Sequence, residues 1–225
     1  MREKSKLSDL EILEQLPPHI ELRLLTYSFN HYQQPRKKIF DLVRKDYLEM
    51  VRRGLYLNLK SHTFKDTPLE TLANSLYFPS YISAEWALQF YGVLTERVHS
   101  ITSVTSRKSI LFKTSVGQFE FHHVHKHRYA FGYEVHSQGF MIARPEKALL
   151  DYLKLRRHDM QWQSYEEMET FLQQELRLNF SWFLHQVSTE NLLEISPYYH
   201  RNSREFRILK WMIEKKSSSK ESKSG

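Results

Sequence analysis

Gln33, Gln34, Arg36 and Lys37 fall within five residues and open an amphipathic stretch. Gln and Arg are the side chains whose paired hydrogen-bonding groups match adenine and guanine edges in the major groove. A helix that enters the groove presents its N-terminal residues to those edges. Lys38, Arg44 and Lys45 continue the cationic run, and Arg52 and Arg53 stand beside Gly54. A tight turn at that glycine would bring the two arginines to phosphates or to the minor groove. Between residues 33 and 60, eight Lys and Arg side chains face three acidic ones, so much of the chain's excess charge is concentrated there. The chemistry suits duplex DNA; a solvated basic face would use the same residue types.

A second basic set, Arg107, Lys108, Lys113, Lys126 and Arg128, suits an RNA, a nucleotide or an acidic partner, or is ordinary surface charge. His122, His123, His125 and His127 lie close together. On a strand the last three would share a face. Same-face neighbours are roughly 6.6–6.8 Å apart, so the outer pair is too widely spaced for one ion and no metal centre is expected. Glu146 and Lys147 follow Pro145. A buried lysine there could do acid–base work, but a glutamate complementing a helix N-terminus is the simpler reading. The chain has no cysteine, which excludes disulfides, thiol nucleophiles and Cys-based zinc sites. It has no Gly-rich phosphate loop and no G-x-S-x-G. The expectation is a protein without cofactor or catalytic residues.

The elements that must position these residues follow from periodicity. Leu10, Leu13 and Leu16 predict a helix that Pro17-Pro18 ends. The apolar run from Ile20 to Phe29 predicts a second helix. Ile39, Phe40, Val43 and Tyr47 predict one buried face on a third. Residues 48–59 predict a hairpin with Gly54 in its turn. Three helices and a ribbon describe a winged helix-turn-helix over residues 1–62. Thr67-Pro68-Leu69-Glu70 predicts a helix start with Thr67 as cap, and Ser83 a second. From Val98 to Ala143, β-branched and aromatic runs predict an antiparallel sheet of four or five strands. Helices are expected from Pro145, from Ser164 with a capping box to Glu167, over about 181–195 and over 203–214. The tail 215–225 is polar and of low complexity, and reads as disordered. The fold class is α+β: a winged helix-turn-helix at 1–62, then an α/β domain over 63–214.

The net charge of +7 and pI of about 9.4 favour polyanionic partners. No apolar run is long enough to span a bilayer, and MREKSKLSDLEIL has no signal-peptide core. A cytoplasmic protein without a membrane partner is expected.

Six segments occur in a telling order: VRRGLYLNL (51–59), YISAEWALQFYGV (81–93), ITSVTSRKS (101–109), TSVGQFEFHHV (114–124), FGYEV (131–135) and IARPEKALLDYL (142–153). The ordered set resembles the AbiEi family, antitoxins of abortive-infection toxin–antitoxin systems that act as transcriptional regulators. The resemblance covers roughly residues 48–155. HYQQPRKK stands where a Thr-x-x-Glu-Leu helix entry is usual. The resemblance implies an N-terminal domain that binds double-stranded operator DNA and represses its own operon; pairing of two copies on an inverted repeat would suit such a unit. It implies a C-terminal domain that counters a nucleotidyltransferase-like toxin, with or without direct contact, for which the second basic set is the candidate antitoxin surface. Two other classes fit the residues: a protein-interaction module that neutralises an acidic partner without binding DNA, and an enzyme acting on nucleotides.

Overall fold

Ser8 starts the first helix. Its hydroxyl accepts from the Glu11 amide while the Glu11 carboxylate accepts from the Ser8 amide, a reciprocal cap that fixes α1 (Asp9–Gln15). The computed structural model describes residues 7–156 and 162–221. After α1 come β1 (His19–Glu21), α2 (Leu22–Ser28), α3 (Pro35–Arg44), β2 (Leu48–Arg52) and β3 (Leu55–Asn58). The run from Ile20 to Phe29 is therefore not one helix. Pro17 and Pro18 favour extended backbone, Ile20 pairs with Tyr56 on β3, and the helix begins only at Leu22. The three strands form an antiparallel sheet in the order β1-β3-β2. Gly54, at φ +86°, turns the β2–β3 hairpin, and its carbonyl accepts from the Leu22 amide at 2.8 Å.

Alternation along β3 divides the interior. Tyr56 joins Leu13, Ile20, Leu25, Phe29, Ile39, Leu42 and Leu48 in a small core. Leu55 and Leu57 point the other way, into the larger core formed by the rest of the chain. Asn58, fully buried, donates to the carbonyls of Leu13 at 2.6 Å and Leu16 at 3.3 Å, holding the end of α1 on β3.

The larger core is built by α4 (Leu69–Leu76), β4 (Ser80–Ile82), α5 (Ala84–Phe90), β5 (Ser100–Thr105), β6 (Ile110–Thr114), β7 (Gly117–His123), α6 (Lys126–Tyr129), β8 (Tyr133–Val135), β9 (Met141–Ala143) and α7 (Pro145–Leu155). The expected antiparallel sheet is a mixed one of six strands, ordered β6-β7-β5-β4-β9-β8. β6 crosses to the edge, so β7 inserts beside β5 and runs parallel to it. β4 and β9 are also parallel, with Ile82 opposite Ile142. The run YAFGYEV contributes only Tyr133–Val135 as strand.

Several helix ends differ from expectation. Thr67 does not cap α4: its hydroxyl donates to the Thr63 carbonyl at 2.7 Å, and Pro68 takes the cap position. Ser83 precedes α5, but its hydroxyl goes to Asp151 rather than to the helix. Ser164 caps α8 (Tyr165–Thr170) by accepting from Glu167, whose carboxylate accepts from the Gln163 amide instead of closing the box. A π-helical turn follows at Phe171–Glu175. The helix expected over 181–195 is two, α9 (Phe180–Gln186) and α10 (Thr189–Ile195), the second capped by Ser188. The last, α11 (Arg204–Glu221), runs past 214 into the stretch expected to be disordered; Lys216 donates to the Leu184 carbonyl there, and 222–225 lie outside the described residues. Among the described residues no helix is long and apolar enough to cross a membrane.

Candidate nucleic-acid interface

The sequence places Pro35 at the first position of α3, where a fixed φ and a missing N–H cost nothing. Ile39 and Leu42 are buried and hold the helix on the small core. Opposite them, Arg36, Lys37, Phe40 and Arg44 are exposed, and the i, i+4 and i, i+3 spacings place Lys37 and Arg44 on either side of Phe40. Phe40 is thus not the core residue its apolar character suggests; it is 61% exposed. Gln33 and Gln34, also exposed, lead into the helix. Together with Tyr32, Lys37, Lys38 and Asp41 they line a shallow depression of about 450 Å³.

Lys38 is not part of the open cationic strip. Its ammonium pairs with Asp9 on α1 and lies 4.7 Å from the centre of the Tyr32 ring. The Tyr32 hydroxyl donates to the same Asp9 carboxylate at 2.7 Å. Burial pushes the Asp9 carboxyl up, but the hydrogen bonds from Lys38 and Tyr32 and the charges of Lys38 and Lys45 outweigh it and hold the carboxyl below its ordinary value. The Asp9 hydrogen bond in turn raises Lys38. Asp9 and Tyr32 therefore fix the entry of α3. Sequence reasoning missed both, and the only signal was an aspartate on a helix 29 residues from its partner.

Lys45 caps α3 and is exposed. Arg52 and Arg53 are exposed at the hairpin turn, but the Arg52 Nε donates to the Leu76 carbonyl at 3.3 Å, at the end of α4. The hairpin is held to the larger unit a second time, where Glu49 accepts from the Ser115 amide and hydroxyl. Arg52 is thus partly committed to the seam between units, and Arg53 is the freer of the two.

No protein-family model and no curated protein matches this chain.

The second basic set does not form one surface. Arg128 pairs with buried Glu205 at 2.8 Å and lies over the Tyr199 ring, so it is an interior clamp between α6 and α11. Arg107 is exposed but anchored, donating to the Phe78 carbonyl at 3.0 Å above the Tyr77 ring. Lys108, Lys113 and Lys126 are exposed, with Lys113 on β6, Lys108 in the β5–β6 loop and Lys126 at the start of α6. The histidines do not share a strand face: β7 ends at His123, His125 is the cap of α6 and His127 lies within it. Among the described residues no three metal-ligating side chains converge.

Lys147 and Glu146 are both sealed in the core. Lys147 donates to Asp151 one helical turn on, and its ammonium lies 5.2 Å from the Phe131 ring centre. Asp151 also accepts from the hydroxyls of Ser83 at 2.7 Å and Tyr81 at 3.1 Å. Burial pushes the lysine down against the pull of Asp151, and pushes Tyr81 up. The group ties β4, the start of α5 and α7 together. A separate depression of about 310 Å³ carries Glu120 with His122 at 3.6 Å and Glu85 with Arg156 at 3.7 Å.

Proposed function

We propose that this chain is a duplex-DNA-binding regulator of the AbiEi antitoxin type, acting by binding rather than by catalysis. The observation that carries the DNA half is the outward strip of α3: Arg36, Lys37, Phe40 and Arg44, preceded by Gln33 and Gln34, with the partly exposed Asp41 as the carboxylate at its border. The element order helix, strand, helix, helix, strand, strand and the sheet order β1-β3-β2 support a winged helix-turn-helix with α3 as its recognition helix. Lys38, held by Asp9, positions that helix instead of contacting phosphate. The turn at Arg53-Gly54 is short, so α3 does most of the reading and Arg53 adds a backbone contact. Two copies on an inverted repeat would match the usual geometry of such units.

The antitoxin half rests on the resemblance over residues 48–155. In that reading the larger α/β unit counters a nucleotidyltransferase-like toxin within the cytoplasm.

A mobility-shift titration against duplex from the chain's own promoter tests the first half. Arg36→Ala with Lys37→Ala should weaken binding and make the dependence of log K on log salt shallower by about 0.9 for each phosphate that the variant no longer neutralises. Unchanged affinity and slope would remove α3 from the interface. Co-expression with an adjacent nucleotidyltransferase-like gene tests the second half: restored growth is expected, and arrest that the chain does not relieve would discard the antitoxin role.

A further inference from the structure

A set of exposed rings and cations lies on the larger unit, in elements other than α3. Phe78 is 66% exposed in the loop before β4. Arg107 reaches the Phe78 carbonyl at 3.0 Å. The Arg107 carbonyl in turn accepts from His123 Nδ1 at 2.8 Å, and the His123 amide donates to Ser109 Oγ at 2.9 Å. These bonds fix the His123 ring on the β5–β6 loop. Its centre is 6.0 Å from that of His125, and His125 stacks on His127 at 5.5 Å with 29° between the planes. All three imidazoles are exposed. Backbone carbonyls thus link the Phe78 loop, Arg107 and His123, and ring contacts carry the series on to His127.

The segments that carry these groups are almost free of acid. Residues 106–119 and 121–133 contain no Asp or Glu. Glu120 is the single acid between them, and it sits on the opposite face of β7 from His123, near His122. Lys108, next to Arg107, and Lys126, between His125 and His127, are both exposed. The strip also lies just beyond the carboxyl ends of the parallel strands β5 and β7, the side of a parallel pair on which ligands commonly sit.

We propose that this strip binds single-stranded nucleic acid, its bases stacking on Phe78 and the imidazoles while Arg107, Lys108 and Lys126 take the phosphates. Exposed ring faces interleaved with cations serve unpaired bases, whose π-faces are free, better than a duplex, whose faces are stacked away. The α6 helix beside the strip is only four residues long, too short to enter a groove. The surface shares no residue with α3, so it goes beyond the duplex-binding reading and fails or survives independently of it.

Fluorescence anisotropy of the full chain tests it with labelled oligouridylate and oligothymidylate of about a dozen nucleotides, a length within the range single-strand sites cover. A blunt duplex of equal length is the control. Phe78→Ala with His125→Ala, and separately Lys108→Glu with Lys126→Glu, should each weaken single-strand binding about tenfold or more and leave promoter-duplex binding unchanged. Arg36→Ala with Lys37→Ala should do the reverse. If Phe78→Ala disturbs the Pro79 turn, His125→Ala with His127→Ala carries the same comparison. Tighter binding of oligouridylate assigns the strip to RNA, and equal binding assigns it to either sugar. No anisotropy change with either single strand, or weakening that occurs only in the α3 variant, would overturn the proposal.

Discussion

Glu146 has a fully buried carboxyl whose two oxygens accept no hydrogen bond from another residue. Arg144 Nε lies 3.2 Å from one of them without aligning to donate, while the same guanidinium lies 2.9 Å from Glu194 and donates to Asn191 at 3.3 Å on α10. Burial pushes this carboxyl up to about 7 against the pull of its own backbone amide and of Arg144, and Glu134 and Glu194 add to the rise. A carboxyl whose folded value exceeds its unfolded one holds its proton longer in the folded state. Stability should therefore be unaffected by this group below pH about 4.5 and fall as pH rises from there to about 7, at a rate of up to roughly 1.4 kcal/mol per pH step of one. Glu146→Gln should flatten that fall: urea unfolding at pH 5 would hardly distinguish it from wild type, and at pH 8 it would be the more stable by about 1–3 kcal/mol. Equal stability of the two proteins at pH 8 would mean that the carboxylate finds a partner when ionised. The contrast with its neighbour is informative, since Lys147 is as deeply buried yet satisfied by Asp151, and such a pair is destabilising mainly when one member is removed.

At the scale of elements, α3 shows what periodicity can and cannot supply. Its start at Pro35, its exposed Gln33, Gln34, Arg36 and Lys37, and the turn at Gly54 were legible because each depends on residues close in sequence. The roles of Lys38 and Phe40 were not. Lys38 is occupied by an aspartate on another helix, and adjacent apolar residues such as Ile39 and Phe40 cannot both face inward on a narrow contact. Strand content was largely legible from β-branched and aromatic runs, but strand direction was not: β5 and β7 lie parallel only because β6 goes to the edge, and no residue type records that choice. β4, three residues between Pro79 and Ser83, is too short to show a period. The Asp9 tie gives the element-scale prediction. Asp9→Asn removes one end of a charge-assisted pair and should destabilise the chain by about 1–2 kcal/mol at pH 7. The folded carboxyl is held below its ordinary value, so its contribution is present above that value and lost as pH falls through the depressed one. The gap between variant and wild type in thermal unfolding should therefore close towards pH 3 and below. A gap that persists there would point to disturbed packing of α1 on α3 instead of a missing charge.

At the scale of the whole molecule, β3 joins the proposed DNA-reading unit to the rest. One strand supplies Tyr56 to the small core and Leu55 and Leu57 to the large one, while Glu49 and Arg52 fasten the hairpin to Ser115 and Leu76. Among the described residues the small core has only eight buried apolar side chains, and a unit of about 60 residues buries too little surface to be more than marginal alone. It therefore draws stability from the seam, and the two units should unfold together. Leu57 is fully buried at that seam, so Leu57→Ala should destabilise by about 2–5 kcal/mol. The tryptophans, at positions 86, 162, 182 and 211, all lie in the larger unit, whereas hydrogen exchange at Ile39 and Leu42 amides reports α3. In wild type the two probes should give the same free energy of opening. In Leu57→Ala the α3 amides should open first, because the large core keeps the rest of its packing while the small one is deprived of the strand that anchors it. Equal destabilisation at both probes would mean that β3 makes the chain a single cooperative unit; wild-type probes that already differ would mean that the helices of the reading unit fold on their own core, with the seam serving only to orient α3.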